Sequence, residues 1–356
     1  MGFKMNDGRV SYEQIIFGSC VKYDRLSDII YKAYANSTCT EVNLFIDLNS
    51  MLKYAFTVNA IRSSNMEIAA SILNACAHYR AFFRGIGVET NIYLIYGLNC
   101  PSTNNQFVKG YNHKFIELWI KRPDLNKFIQ DNLPILEIIT QYIPNIYFFD
   151  IKNAEVSSMV DNILCTIPWK ENVENIIISR DVLMLQLIPL FYNLSVIRPS
   201  KSKGEDKSFI VNRSNLWESF AKYRKIKQPE KNINIAFFQN VLTAGVPERG
   251  MYSIFSVNKM IKMIDTAVTN GLLPDRKFYT QNTISSALLA MDIPLNSIEF
   301  EMRYKAINPR FQSRYVLGLE APSARKMRFI NLEDVTELKR IIEQYFPNDP
   351  IDLDRL

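Results

Sequence analysis

The sequence predicts an α/β fold: a central, mostly parallel sheet flanked by helices, followed by a helical second half. Two observations carry that expectation. Short apolar runs without inside/outside alternation recur through residues 42–200, as expected of strands buried on both faces. Between them lie longer segments with helical periodicity, which parallel strands need as crossovers.

In chain order, residues 1–40 form a lead-in, with Arg25–Tyr34 at helical spacing. Val42–Ile46 is the first strand, Asp47 stands at its end, and a helix begins over Ser50–Phe56. Met66–Arg84 lacks Gly and Pro and is closed by Gly85-Ile86-Gly87, a helix with a glycine stop. Asn91–Gly97 is the second strand, residues 128–143 a helix, and Ile143–Asp150 the third strand. Asn153–Leu164 is helical, Asn175–Ile178 is the fourth strand, and Leu194–Ser200 the fifth. After Ser179-Arg180-Asp181 the apolar run reads as the start of a helix. Ser200–Asp206 is a polar loop or hairpin, and Asn212–Leu273 is largely helical. Residues 278–330 alternate helix and irregular structure, and a capped helix starts at Asn331. The domain expectation is a lead-in (1–40), an α/β core (41–200), a helical region (201–280) and a C-terminal extension (281–356).

Composition narrows the function classes. Of 356 residues, 47% are apolar and 22% charged, which is globular and not disordered. The net charge of +6 favours an anionic partner such as nucleic acid, although a solvated basic surface gives the same sum. Five widely spaced cysteines without a CxxC pair, and only two histidines, argue against zinc and for a reducing, cytoplasmic compartment. Any metal would be a hard cation held by carboxylates. No apolar run is long enough to span a bilayer, so no membrane partner is expected.

Three acids share one structural place. Asp47 ends the first strand, Asp181 ends the fourth, and Glu155 sits in the first turn of the helix after the third. The carboxyl ends of parallel strands lie along one sheet edge, so the three can converge. Around Mg²⁺ or Mn²⁺ they would activate water for phosphodiester cleavage. Taken singly, each acid reads more as a helix cap than as a ligand, since Asp and Glu are favoured there, and the three together shift the balance toward a ligand set.

DLNSMLKYAF after an apolar strand resembles the first motif of the flap endonuclease/5′-nuclease family of the PIN-like superfamily. NIYLIYG followed by YNHKF is similar to the second motif, and IPNIYFFDIKNAEVSSMVDNIL to the third, built on Glu-Ala-Asp-Asp. ISRDVLMLQL resembles the fourth, Ser-x-Asp-x-Asp-x-x-Gln-Leu, with Ser179, Asp181, Gln186 and Leu187 on the pattern. Ile233–Met251 looks like the approach to the family's helical DNA-binding turn. The resemblance spans about residues 42–270.

The departures fall on acids. Tyr96 replaces the aspartate of the second motif, Ser157 and Ser158 those of the third, and Leu183 the second of the fourth. Thr243-Ala244-Gly245 stands where a later acid is expected. A two-metal site commonly draws on roughly half a dozen carboxylates, and three do not suffice. The resemblance with its departures therefore implies a pseudo-nuclease: a nucleic-acid-binding or assembly subunit of a replication, transcription or nucleic-acid-processing complex, without a cofactor. Leu183 and Tyr96 would then pack the old site shut. The alternatives are an active single-metal Mg²⁺ or Mn²⁺ nuclease using Asp47, Glu155 and Asp181, and a structural protein without nucleic-acid contact. Divergence and Asn/Ile/Lys-rich usage suggest a viral or phage source.

Three basic groups are candidate nucleic-acid contacts: Lys109, Lys114, Lys121 and Arg122; Lys222, Arg224 and Lys225; and Arg310, Arg314, Arg325, Lys326 and Arg328, interleaved with aromatics. An ordinary solvated face explains each group equally well. The C-terminal extension is the expected surface for a protein partner.

Overall fold

The structure, a computed structural model, describes residues 38–50, 52, 65–97, 123–151, 154–168, 170–198, 209–226, 235–246, 249, 251, 255–274, 281–292, 297–316, 340 and 344. Six strands form one sheet in the order β3-β2-β1-β4-β5-β6. They are β1 (Glu41–Asp47), β2 (Glu89–Gly97), β3 (Ile146–Ile151), β4 (Val173–Ile178), β5 (Leu194–Arg198) and β6 (Phe209–Val211). The first five are parallel to their neighbours and β6 is antiparallel to β5. The sequence reading lacks β6, a three-residue strand that pairs, among the described residues, with β5 alone.

The chain runs outward from β1 to β3, then returns to place β4 on the other side of β1. This reversal makes the carboxyl ends of β1 and β4 a topological switch point, where open α/β sheets form a crevice. Ile46 lies opposite Leu94 of β2 and Ile178 of β4, so Asp47 and the residues after Ile178 meet at one edge.

Burial of both sheet faces accounts for the unbroken apolar strands. Leu44 and Ile46 pack one face together with Ile92, Leu94, Ile176 and the helices α1 (Asn65–Gly85) and α2 (Pro123–Thr140). Phe45, Ile95 and Ile177 pack the other, against α3 (Val156–Thr166) and the helical second half. That half contains α4 (Leu216–Arg224), α5 (Ile235–Ala244), α6 (Val257–Thr269), α7 (Gln281–Ala290), α8 (Ser297–Ile307) and α9 (Pro309–Val316).

At one level of the sheet three asparagines stand side by side. Asn43, Asn91 and Asn175 are in register across β2, β1 and β4. The Asn91 amide donates to Asn43 Oδ1 and the Asn43 amide to Asn175 Oδ1, each at 3.0 Å. A slip by one residue would break this ladder and leave buried amides unpaired, so it reinforces the register that the apolar faces set.

Two local expectations change. The segment after Asp181 is not an α-helix but two 3₁₀ turns, Val182–Gln186 and Ile188–Leu190. Pro189 has no N–H to continue an α-helical ladder, and a 3₁₀ turn tolerates that interruption. Glu155 is the N-cap residue of α3 and so lies just before its first turn. Leu48–Ser50 and Leu52 are helical, as expected after β1. The lead-in up to residue 37, the Ser200–Asp206 loop and nearly all of the helix from Asn331 lie outside the described residues.

Candidate functional site: strand-end carboxylates and a buried arginine

Asp47 is the buried end of β1 and caps the helix that follows. Its Oδ1 accepts from the Ser50 amide at 3.1 Å, and its Oδ2 accepts from the Ser50 and Ser179 hydroxyls, both at 2.6 Å. The Ser179 bond crosses from β4 to β1. Burial raises the Asp47 carboxyl above the ordinary aspartate range; the Ser179 and Ser50 bonds oppose the rise, and the charge of Asp181 adds to it.

Asp181 continues the chain of bonds. Its amide donates to Ser179 Oγ at 2.9 Å, and its Oδ1 caps the 3₁₀ turn by accepting from Leu183 N at 3.0 Å. Its Oδ2 accepts from the Arg249 guanidinium, which also donates to Glu155 Oε2 at 3.2 Å. Glu155, although it stands at the N-cap of α3, makes no side-chain cap bond; its carboxylate pairs with Arg249. The side chains of Arg249, Glu155 and Asp181 are only 10%, 4% and 12% exposed, so this triad is withdrawn from water.

A short turn presents Arg249. Val246 and Met251, both buried, form an isolated antiparallel bridge around it, and the Arg249 amide donates to Val246 O at 2.8 Å. This places the guanidinium from the α5–α6 connection onto the sheet edge.

The three sequence-predicted acids thus come to the same edge, but they do not make a metal cage. Among the described residues, no three His, Cys, Asp or Glu side chains form a metal-holding group. Hydroxyl and amide donors hold Asp47, while a guanidinium holds Glu155 and one oxygen of Asp181. In this arrangement the residues do not fit a divalent ion, which would need those same oxygens.

Tyr96 and Leu183 are both buried, but in cores on opposite sheet faces. Side chains alternate along a strand, and Tyr96 points away from the face of its neighbour Ile95. Arg249, and not this pair, bridges the acids. The sequence reading did not identify Arg249: it lies 94 residues from Glu155 and 68 from Asp181, among 42 lysines and arginines. Three buried acids call for a counter-charge without specifying which basic residue supplies it.

Gln186 anchors the second half of the chain, donating from its buried amide to Ile307 O at 2.9 Å. Lys222 and Arg224 are in the last turn of α4, where cations complement the helix dipole. Lys225 ends that helix in the left-handed conformation, and Arg224 lies over the Phe220 ring. Arg310 donates twice to Asp161 Oδ1, at 3.2 and 3.0 Å, and stacks over Phe191. Arg314 is on α9. Lys109, Lys114, Lys121, Arg122, Arg325, Lys326 and Arg328 lie outside the described residues.

The six-stranded, mostly parallel sheet flanked by helices, with a helical second half, matches the PIN/5′-nuclease-like fold. The solved bacteriophage T5 flap endonuclease, in a pseudo-enzyme–product complex with DNA and metal ions, matches with a TM-score of 0.50 and 9% identity over 85% of this chain and 100% of that one. The T5 D15 protein co-crystallized with metal ions matches with a TM-score of 0.51 and 11% identity, over 86% and 99%. No family model matches the sequence, and no curated protein matches it. No helix among the described residues is long and apolar enough to cross a membrane.

Proposed function

We propose that the chain is a catalytically degenerate 5′-nuclease-like protein that serves as a nucleic-acid-binding or assembly subunit of a replication, transcription or nucleic-acid-processing complex. The observation that supports this reading is the Arg249 guanidinium on Glu155 and Asp181. Metal-assisted phosphodiester cleavage needs carboxylate oxygens free to hold a cation and a water activated by it. Here one guanidinium occupies oxygens of two of the three acids from within. The flap endonuclease of similar fold was solved with DNA as a pseudo-enzyme complex, which makes nucleic acid the natural partner to test. A viral or phage system is the proposed setting, and the C-terminal extension the proposed partner surface.

The convergence of Asp47, Glu155 and Asp181 favours the second reading, a single-metal nuclease. One experiment separates the readings: purified protein is incubated with flap, single-stranded DNA and RNA substrates in Mn²⁺, beside the Asp47→Ala/Asp181→Ala double variant. Binding without cleavage is expected. Cleavage by the native chain that disappears in the double variant would overturn the degenerate reading, and neither binding nor cleavage would leave a structural role.

A further inference from the structure

A guanidinium that carries one full charge, donates to two carboxylates from separate elements and sits on a turn with buried ends is a built feature of the sheet edge. Surface arginines pair opportunistically and remain solvated, and such pairs contribute little. Arg249 is instead largely buried, and its two partners are brought together by different crossovers, Glu155 after β3 and Asp181 after β4. Removing one member of such a set leaves an uncompensated charge in a desolvated place. The turn is itself pinned: Met251 N donates to Val246 O at 3.2 Å, and the flanking Val246 and Met251 belong to the core that contains α3 and the 3₁₀ turn.

We propose that Arg249 is an intramolecular counter-cation that stands in for a divalent metal at the strand-end carboxylates. It closes the site to metal and pins the α5–α6 connection to the sheet edge. The inference rests on the degenerate reading of the site and adds to it the substitution of a fixed guanidinium for the metal and the tether it makes to the α5–α6 connection. A metal ion tethers carboxylates while keeping positions open for water and substrate, whereas a guanidinium tethers the same carboxylates and offers neither. The protein would thereby keep the electrostatic stabilisation of its edge without the reactivity.

The full chain is tested as Arg249→Met, which keeps much of the side-chain length and loses the charge, beside Arg249→Lys and the native protein. Each is titrated with Mn²⁺, with free Mn²⁺ read by electron paramagnetic resonance. Arg249→Met is expected to bind Mn²⁺ at least about tenfold more tightly than the native chain. The gain should be absent in Arg249→Lys and lost when Asp181→Asn is added. A folded Arg249→Met protein that binds Mn²⁺ no better than the native chain overturns the proposal.

Should Arg249→Met fail to fold, the Glu155→Gln/Asp181→Asn background carries the test. Without its partners Arg249 is a liability, so adding Arg249→Met to that background should leave the melting temperature unchanged or raise it, because apolar replacements of buried ion sets are often neutral or stabilising. A fall in melting temperature on that addition overturns the proposal. Cleavage by the native chain in Mn²⁺ would instead overturn the degenerate reading, a separate readout from Mn²⁺ affinity in the Arg249 variants.

Discussion

The Asn49 side chain grips Gly97 on both sides: Asn49 Oδ1 accepts from the Gly97 amide at 3.1 Å, and its Nδ2 donates to the Gly97 carbonyl. This ties the segment after β1 to the end of β2. Gly97 is the residue against which the Glu155 segment is laid. A Cβ built there would lie 2.7 Å from Ala154 O and 3.2 Å from Val156 N, both backbone atoms. Gly97→Ala is therefore expected to destabilise by about 1–3 kcal/mol, the usual cost of overpacking a tight interior. It should also displace Glu155 from Arg249. Urea denaturation measures the first effect, and a Gly97→Ala chain as stable as the native one would contradict this account of the edge.

Stability should depend on pH through Asp47. Burial makes its carboxyl harder to ionise in the folded chain than in the unfolded one, so the native state keeps that proton to higher pH. The stability contributed is full below the unfolded value of about 3.9 and is lost as pH rises through the raised folded value. Asp47→Asn removes this titration. Relative to the native protein, the variant should gain stability between about pH 4 and neutrality, read from urea midpoints at the two ends. A variant that loses ground over that interval would contradict the direction of the shift.

Asp161 joins the α/β core to the C-terminal helices. It is fully buried on α3, accepts twice from Arg310, and accepts from the Ser313 hydroxyl of α9 at 3.0 Å. Removing Arg310 strands a buried carboxylate, while removing Asp161 frees a guanidinium whose side chain is 30% exposed and can turn to water. Arg310→Ala is thus expected to cost about 3 kcal/mol, and more than Asp161→Asn. If Arg310 serves chiefly as a nucleic-acid contact, its loss should weaken binding in filter or polarisation assays and leave the unfolding midpoint unchanged.

The cysteines should separate by reactivity. Burial pushes the Cys76 thiol up to about 12 against the opposing influence of Arg80, whereas Cys165 is exposed. Because the thiolate is the nucleophile, iodoacetamide at pH 8 should alkylate Cys165 and spare Cys76 in the folded chain. Both should react in denaturant, as read by peptide mass spectrometry. Equal labelling of the two in the native protein would mean that α1 opens readily.

Strand-end acids were legible because their placement is nearly local. Apolar runs locate β1 and β4, the acid that closes or follows each run within three residues is read directly, and parallel crossovers send both carboxyl ends to one edge. The same reasoning found Asp47, Glu155 and Asp181 and the alternation of strand and helix. It did not distinguish a capping acid from a pairing acid, and the structure shows both uses: Asp47 and Asp181 cap, while Glu155 stands at a cap position and pairs elsewhere.

By itself, then, the sequence determined the α/β class, the strand order of events along the chain and the edge where three acids meet. Only the tertiary structure decided that an arginine from the α5–α6 connection pairs with Glu155 and Asp181 at that edge, that Tyr96 and Leu183 lie on opposite faces, and that β6 pairs antiparallel with β5. The physical reason is range. Periodicity and turn chemistry act within a few residues, whereas the Arg249 ion pairs join groups 68 and 94 residues apart. Such a pair forms only where packing has already brought the backbones together and excluded water, and no local pattern encodes that convergence.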